Sequence, residues 1–205
     1  MKKLIVIAAS LLIAASAHAQ LGVVAGITSS KSNLEEAYAD INNVNKYHVG
    51  ITYKLDLGLI AIQPSIIYNV KGARMEGFKI NDIPTGLGQM DYKTGYLEVP
   101  VQVQAGINLG LARVYGFAEP FVGYRVSSTD RGNESFQAWA SQAKNKFEYG
   151  FGLGAGLEIS DHLQLSVQWF NNLGAMFSKP AESGTESLGK VKNFEGIKFS
   201  LAILF

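Results

Sequence analysis

Cysteine is absent from the 205-residue sequence, and proline occurs only five times. The lack of cysteine excludes disulfides, a thiol nucleophile and cysteine-based metal sites. Long apolar runs are also lacking: beyond the N-terminal segment, none reaches the roughly 18 residues expected of a transmembrane helix. Neither charge is in excess, because 18 basic residues face 17 acidic ones. This balance argues against nucleic acid as a partner, and any membrane span beyond the N-terminal segment must consist of strands.

The N-terminal segment has the organisation of a secretory signal peptide. Lys2 and Lys3 precede an apolar run of about 14 residues, and alanines occupy positions 17 and 19. A run of this length is too short to span a bilayer, which takes roughly 20 residues. We therefore predict a signal peptide over residues 1–19, which directs export, and one mature domain over residues 20–205.

Alternation of apolar and polar residues runs through the mature domain. In YLEVPVQVQAGI, residues 96–107, every second residue from Leu97 to Ile107 is apolar, and the intervening row contains Glu98, Gln102 and Gln104. This pattern is typical of a strand whose two faces meet different environments. It predicts eight strands, near residues 21–29, 47–56, 59–70, 92–107, 112–126, 146–159, 163–172 and 194–205.

The connections between these strands alternate between short and long. Three tight turns are centred near residues 57, 109 and 161, whereas polar connections without a strand pattern occupy residues 30–46, 71–91, 127–145 and 173–193. Loops above about 15 residues are uncommon in compact soluble domains, but short periplasmic turns and long extracellular loops characterise outer-membrane barrels. The sequence thus predicts an all-β fold, an eight-stranded antiparallel up-and-down transmembrane β-barrel.

The apolar rows are predicted to face lipid and the polar rows to face the lumen. An eight-stranded barrel is only wide enough inside for side chains to fill, so eight rows of large apolar residues would overfill it. The glycine row from Gly150 to Gly156 suits a crowded interior. Inward charges are expected to pair across the lumen; they are Lys54, Glu98, Glu119, Arg125 and Glu148.

Two further features concern the fifth strand and the strand ends. Placing Arg113, Glu119 and Arg125 of the fifth strand inside also places Tyr115 and Phe117 there. Aromatic residues near strand ends are expected to form the girdles found at the two membrane interfaces; they are Tyr47, Tyr68, Tyr92, Tyr124, Phe147, Trp169 and Phe194.

Candidate chemistry is sparse. His18 leaves with the signal peptide, His48 is predicted to face the lumen, and His162 falls in a tight turn, so no pair has metal-ligand spacing. A Ser-His hydrolase would require His48 beside Ser29 or Ser30. We predict no catalytic, cofactor-binding or metal-binding residue.

Two other motifs are expected to be structural. Glu98 and Glu119 are a candidate carboxylate pair for acid/base work, but we expect them to form salt bridges inside the barrel instead. The run GFGLGAG, residues 150–156, lacks the spacing of a nucleotide-binding loop. It is expected to be glycine facing the lumen.

Short motifs throughout the mature chain resemble the PorT-like outer-membrane β-barrel proteins common in Bacteroidetes. They are GVVAGITSS at 22–30, YLEVP at 96–100, EPFVGY at 119–124, GFGLGAGLE at 150–158 and FSLAILF at 199–205. The last of these ends an amphipathic strand on Phe205, which resembles the C-terminal signature read by the barrel-assembly machinery. The resemblance implies an eight-stranded outer-membrane barrel; the name-giving members are linked to a secretion and gliding apparatus. No catalytic residue carries over.

Three functions are compatible with these patterns. We expect an integral barrel in the outer-membrane lipid bilayer, without enzymatic activity, whose extracellular loops or rims contact an envelope protein partner. The alternative is a secreted soluble β-barrel that binds a small apolar ligand. The third is an outer-membrane lipid-modifying enzyme, which would depend on His48.

Overall fold

The computed structural model describes residues 19–32, 40–42, 44–76, 79–80, 83–84, 90–131, 146–173 and 194–205, so most of the predicted signal peptide lies outside it. The described strands are β1 (Ala19–Ser32), β2 (Asp40–Asn42), β3 (Val44–Asp56), β4 (Ile60–Glu76), β5 (Lys79–Ile80), β6 (Ile83–Pro84), β7 (Met90–Asn108), β8 (Ala112–Arg131), β9 (Phe147–Ile159), β10 (Leu163–Asn172) and β11 (Phe194–Leu204). Within these ranges, no helix has the length and apolarity needed to cross a membrane.

Eight of these strands form a closed antiparallel barrel. Around the barrel the order is β1, β3, β4, β7, β8, β9, β10 and β11, with β11 pairing back onto β1. The closing pair runs in continuous register from Gly22 opposite Leu204 to Ser32 opposite Phe194. The predicted eight-stranded barrel is therefore confirmed. The short strands are additions: β2 pairs with β4, and β5 pairs with β6.

Three tight turns lie at one end of the barrel, called the turn end here; the opposite end is the loop end. Gly58 and Gly110 have φ of 88° and 86°, which only glycine adopts at no steric cost. In the β9–β10 turn, Ser160 and Asp161 have φ of 50° and 59°. Two successive residues with positive φ make a type I′ turn, whose twist matches that of the flanking strands.

At the loop end, β4, β7 and β8 extend further than predicted. The connection at 71–91 was expected to lack strands, but the β4–β7 ladder continues from Val70 opposite Gly95 to Met75 opposite Met90. This expectation was wrong because backbone pairing needs no side-chain alternation. We call β2 together with residues 71–76, 90–95 and 127–131 the projecting sheet. At about 3.4 Å per residue it extends roughly 20 Å along the strands.

Side-chain orientation follows the predicted parity. The outward row includes Ile51 and Phe199, which are 53% and 55% exposed, whereas inward Glu98 and Gln104 are fully buried. On β8 the inward row contains Arg113, Tyr115, Phe117 and Glu119, as predicted. A soluble barrel that binds an apolar ligand would need an apolar lumen, so this arrangement contradicts that alternative.

The glycine row of β9 makes room for aromatic rings inside the barrel. A Cβ atom on Gly154 would lie 2.5 Å from Cζ of Phe117, and one on Gly150 would lie 2.6 Å from Cζ of Phe121. Such distances are impossible for real side chains without displacement of the rings. Rings from the neighbouring strand β8 therefore pack over these glycines, as expected for a crowded interior.

The aromatic girdle is only partly as predicted. Tyr47, Phe147 and Trp169 are outward and 55%, 74% and 41% exposed, and Tyr124 is 39% exposed. Phe194 is 3% exposed, and its assignment to the girdle was wrong. The reason is parity, because an even-numbered residue of β11 shares the inward row with Lys198. Tyr68 is half-buried, and the side chain of Tyr92 lies outside the described part of the chain.

Candidate functional site

The lumen is the candidate site because it concentrates the charged groups of the barrel. Eight charged side chains inside it are at most 4% exposed: Lys54, Lys71, Arg113 and Lys198, and Glu98, Glu119, Glu148 and Glu158. Four positive charges thus face four negative ones. Burying a charge without a partner costs several kcal/mol, so the balance requires specific pairing.

One network of hydrogen bonds begins at the turn end. Nζ of Lys54 lies 2.5 Å from Oε1 of Glu158 and 2.9 Å from Oδ2 of Asp56, which is partly exposed at the rim. Arg113 donates from Nη1 to Oε1 of Gln104 at 2.9 Å, and the same nitrogen is 3.8 Å from Glu158. Gln164 donates to the second oxygen of Glu158 at 2.7 Å. We call this the turn-end network.

Glutamine side chains carry the turn-end network towards the middle of the barrel. Gln63 donates to Gln164 at 3.0 Å, and Gln104 donates to Gln63 at 2.7 Å. Further along, Gln102 donates to Glu119 at 2.8 Å, and Glu119 also accepts from Lys198 at 2.8 Å. An amide both donates and accepts, so successive glutamines connect charged groups too distant to pair directly.

A second network, the loop-end network, is centred on Lys71. Its Nζ lies 2.7 Å from Oε1 of Glu98 and 2.8 Å from Oε1 of Glu148, and it donates to Asn172 at 3.2 Å. The sequence-based prediction assigned Lys71 to a loop and missed it. The parity of Ile67 and Asn69 continues to Lys71, and this signal was available in the sequence.

Two phenylalanine rings separate the networks. Nζ of Lys71 lies 4.7 Å from the ring centroid of Phe121 and 5.2 Å from that of Phe170. Lys198 approaches the same two rings at 5.8 Å and 5.9 Å. Each ring thus has an ammonium group from each network within cation–π distance. The rings fill the space between the two charged groups with apolar volume.

His48 pairs with neither Ser29 nor Ser30, the arrangement that a Ser-His hydrolase would have required. Strand register places His48 opposite Gly26, and Ser30 instead bonds to the backbone of Gly72 at 2.9 Å and 3.0 Å. Ser29 belongs to the opposite row of β1. Because Gly26 has no side chain, His48 has room to reach across β1; a Cβ there would lie 2.6 Å from its Cε1.

His48 occupies the middle of a directed hydrogen-bond chain. Asn69 donates from Nδ2 to Glu98 at 2.9 Å, so its Oδ1 is the acceptor for the hydroxyl of Thr28, also at 2.9 Å. With its only proton used, Thr28 accepts from Nδ1 of His48 at 3.0 Å. When the ring is neutral, Nε2 of His48 is then an acceptor for the hydroxyl of Ser200 at 2.9 Å. The chain therefore places a proton on Nδ1 of His48.

The remaining candidates of the sequence are separated in space. Glu98 pairs with Lys71, whereas Glu119 pairs with Lys198, so the salt-bridge interpretation of these carboxylates is confirmed. His162 lies in the β9–β10 turn, whereas His48 lies within β3. Among the described residues, no group of three histidine, aspartate or glutamate side chains is arranged to hold a metal ion.

Three solved structures share the barrel architecture of this chain. Ail, the attachment invasion locus protein of Yersinia pestis, is 14% identical, with 91% of this chain and 98% of Ail covered and a TM-score of 0.43. Neisserial surface protein A is 10% identical, with 91% and 97% covered and a TM-score of 0.47. Ail in complex with the heparin analogue sucrose octasulfate is 13% identical, with 91% and 99% covered and a TM-score of 0.43. No curated protein matches the chain.

A family model gives the most direct assignment. The model described as the outer membrane protein beta-barrel domain matches residues 14–178, about four fifths of the sequence. The apolar outer wall, the polar lumen and the alternation of turns and long connections agree with the architecture of outer-membrane barrels. The chain is an outer-membrane β-barrel and belongs to the outer membrane protein beta-barrel domain family.

Proposed function

We propose that this barrel acts without enzymatic chemistry, by binding an envelope protein partner at its extracellular rim. The projecting sheet is the observation that carries the proposal. In outer-membrane barrels the short turns face the periplasm, so the loop end and its sheet face outward from the cell. Three barrel strands and β2 continue there beyond the last β8–β9 pair, Tyr124 opposite Phe147.

The filled lumen supports this proposal against transport. The turn-end and loop-end networks together contain all eight buried charged side chains. A diffusing solute would have to separate these ion pairs and displace the rings of Phe121 and Phe170. Breaking one buried pair by itself costs about 3–5 kcal/mol. A general porin function is therefore disfavoured.

The lumen also bears on enzymatic activity. Ser200 and His48 are hydrogen-bonded with the proton arrangement that a Ser-His pair needs, but the residue behind His48 is Thr28 rather than a carboxylate. A carboxylate in that position stabilises the imidazolium formed during catalysis. The Thr28 hydroxyl supplies no such charge. We therefore infer that the hydrogen bonds from Thr28 through His48 to Ser200 have a structural role in the lumen.

The proposal includes the route to the membrane. We infer that residues 1–19 direct export and are removed, that β11 is recognised by the barrel-assembly machinery, and that the chain is PorT-like. The outward residues of β11 support the second inference, since Ile197, Phe199, Leu201 and Ile203 form one exposed apolar row. Mass spectrometry of the purified protein tests the first, with Gln20 expected as the N-terminal residue.

Deletion of the part of the projecting sheet that β4 and β7 contribute tests the rim proposal. Residues 73–93 are replaced by a two-residue turn, and partners are captured in intact cells by surface crosslinking. A matched control replaces residues 174–193, a segment of nearly the same length, by the same two-residue turn. Capture should be lost in the first variant and retained in the control, while both keep heat-modifiable gel mobility. Equal capture by both variants would contradict the proposal.

A further inference from the structure

Two of the three turns at the turn end repeat one short motif. The sequence DLGL, residues 56–59, joins β3 to β4, and NLGL, residues 108–111, joins β7 to β8. Both turns close in the same way, with an amide-to-carbonyl bond of 2.9 Å from Leu57 to Ile60 in the first and the equivalent bond of 2.7 Å in the second. Each tip therefore consists of a glycine with positive φ followed by a leucine.

The leucines at these tips are not required by the turns. In a two-residue turn that opens on a glycine of positive φ, the second position accepts any residue. The β9–β10 turn at the same end has the polar tip Ser160 and Asp161. Leu59 and Leu111 are nevertheless 67% and 83% exposed, and no large apolar side chain of the described ranges is more exposed than Leu111. Apolar side chains exposed together indicate a contact surface.

Both leucines lie beyond the part of the wall that lipid covers. The outward rings of Tyr47 and Tyr124 mark the interface at the loop end. Leu59 follows Tyr47 by twelve residues, and Leu111 precedes Tyr124 by thirteen. A transmembrane strand takes about 9–11 residues to cross the bilayer. Because the turns of outer-membrane barrels face the periplasm, the two tips are in periplasmic water.

Backbone bonds join the three turns into one continuous edge. Gly106 donates its amide to the carbonyl of Leu59 at 2.9 Å, and Ser160 donates its amide to the carbonyl of Leu111 at 2.8 Å. The second bond places Asp161, the residue after Ser160, next to the second leucine tip. We call Leu59, Leu111 and Asp161 the turn-end edge.

The charge at this end is acidic where solvent reaches it. The side chain of Asp161 is exposed and that of Asp56 is 30% exposed. Lys54 and Arg113 are buried at 1% and 2%, so among the described residues of the turn end no lysine or arginine is exposed. A ligand of this surface should combine apolar contacts with positive charge.

We propose that the turn-end edge docks an amphipathic segment of a periplasmic protein, with its apolar side chains against Leu59 and Leu111 and a lysine or arginine beside Asp161. A second copy of this chain does not fit the surface, because copies in one membrane share one orientation and their turn ends point the same way. The edge lies at the opposite end from the projecting sheet. It therefore stands independently of the partner at the extracellular rim.

Photo-crosslinking in intact cells of the native host identifies what covers the edge. A photoreactive benzophenone side chain replaces Leu111, and a control protein carries it instead at Leu173, which is 52% exposed at the loop end. The irradiated barrel is purified, and the adduct is sequenced by mass spectrometry. We expect a periplasmic segment with apolar and basic residues from position 111 only. A lipid adduct, an adduct with a second copy, or no adduct from position 111 would overturn the proposal.

The crosslinked segment, made as a synthetic peptide, is then titrated against the full barrel in phosphatidylcholine nanodiscs. Leu59→Ser combined with Leu111→Ser should weaken binding at least tenfold, which corresponds to about 1.4 kcal/mol. The matched control combines Val126→Ser with Leu173→Ser, two side chains that are each 52% exposed at the loop end, and should bind as wild type does.

Heat-modifiable mobility confirms that each variant is folded. Equal affinities of the two double variants would overturn the proposal. Asp161→Asn should weaken binding at low salt and reduce its salt dependence, because it removes the exposed carboxylate beside Leu111. Binding by Asp161→Asn with the affinity and salt dependence of wild type would contradict the basic character of the segment.

Discussion

Replacement of Lys71 by methionine should destabilise the barrel by about 3–5 kcal/mol, the cost of leaving a buried charge without its partner. The side chain is 1% exposed and lies 2.7 Å and 2.8 Å from the carboxylates of Glu98 and Glu148. At an effective dielectric of about 20, each contact has a gross attraction of roughly 6 kcal/mol. Two effects offset much of this attraction. The ammonium group is desolvated in the wild type, and in the variant Asn69 and Asn172 still donate hydrogen bonds to the carboxylates of Glu98 and Glu148.

The assay is urea unfolding in lipid vesicles, followed by tryptophan fluorescence and by heat-modifiable gel mobility. Lys146→Met is the control, because Lys146 is exposed at the loop end, and its midpoint should match wild type. Adding Glu148→Gln to Lys71→Met removes one unpaired carboxylate and should recover part of the loss. The reasoning is refuted if Lys71→Met and Lys146→Met unfold at the same urea concentration.

Three further outcomes are expected. Gly154→Leu should abolish the compact gel form, since the leucine side chain would overlap Phe117 and overpacking costs about 1–3 kcal/mol or more. The control Gly116→Ala should leave stability unchanged, because only one atom lies within 4 Å of the added Cβ, at 3.8 Å. In the wild type, the ¹⁵N chemical shifts of the His48 ring should report a proton on Nδ1. Thr28→Val should change these shifts, and unchanged shifts would contradict the proposed direction of the hydrogen bond between Thr28 and His48. In planar bilayers the purified barrel should show no stepwise conductance, and regular steps would contradict a sealed lumen.

The barrel class could be predicted because it depends on a property that every strand repeats. Alternation in the segment from Leu97 to Ile107 is visible without any knowledge of neighbours, and the lumen was correctly assigned to the other row. On β8 the inward position of Arg113 and Glu119 required only that buried charges avoid lipid. The aromatic residues Tyr115 and Phe117 then followed by parity.

The partners inside the lumen could not be predicted, because they depend on register between strands distant in sequence. Ser200 meets His48 only because β11 and β3 flank β1 at Gly26. Lys71 was missed because β4 was expected to end at residue 70, and the position of a strand end depends on its hairpin partner. Phe194 was misassigned because proximity to a strand end was given more weight than parity.

The register shift on the β7–β8 ladder has a consequence for how the two parts of the molecule can change. Between Tyr96 opposite Arg125 and Gly95 opposite Ser127, one residue of β8, Val126, has no partner. An unpaired residue of this kind bends its strand and resets the alternation. On the loop-end side of Val126, residues can be exchanged, inserted or deleted in pairs without altering which side chains face lipid on the turn-end side. The membrane wall can thus stay constant while the exposed surface diversifies.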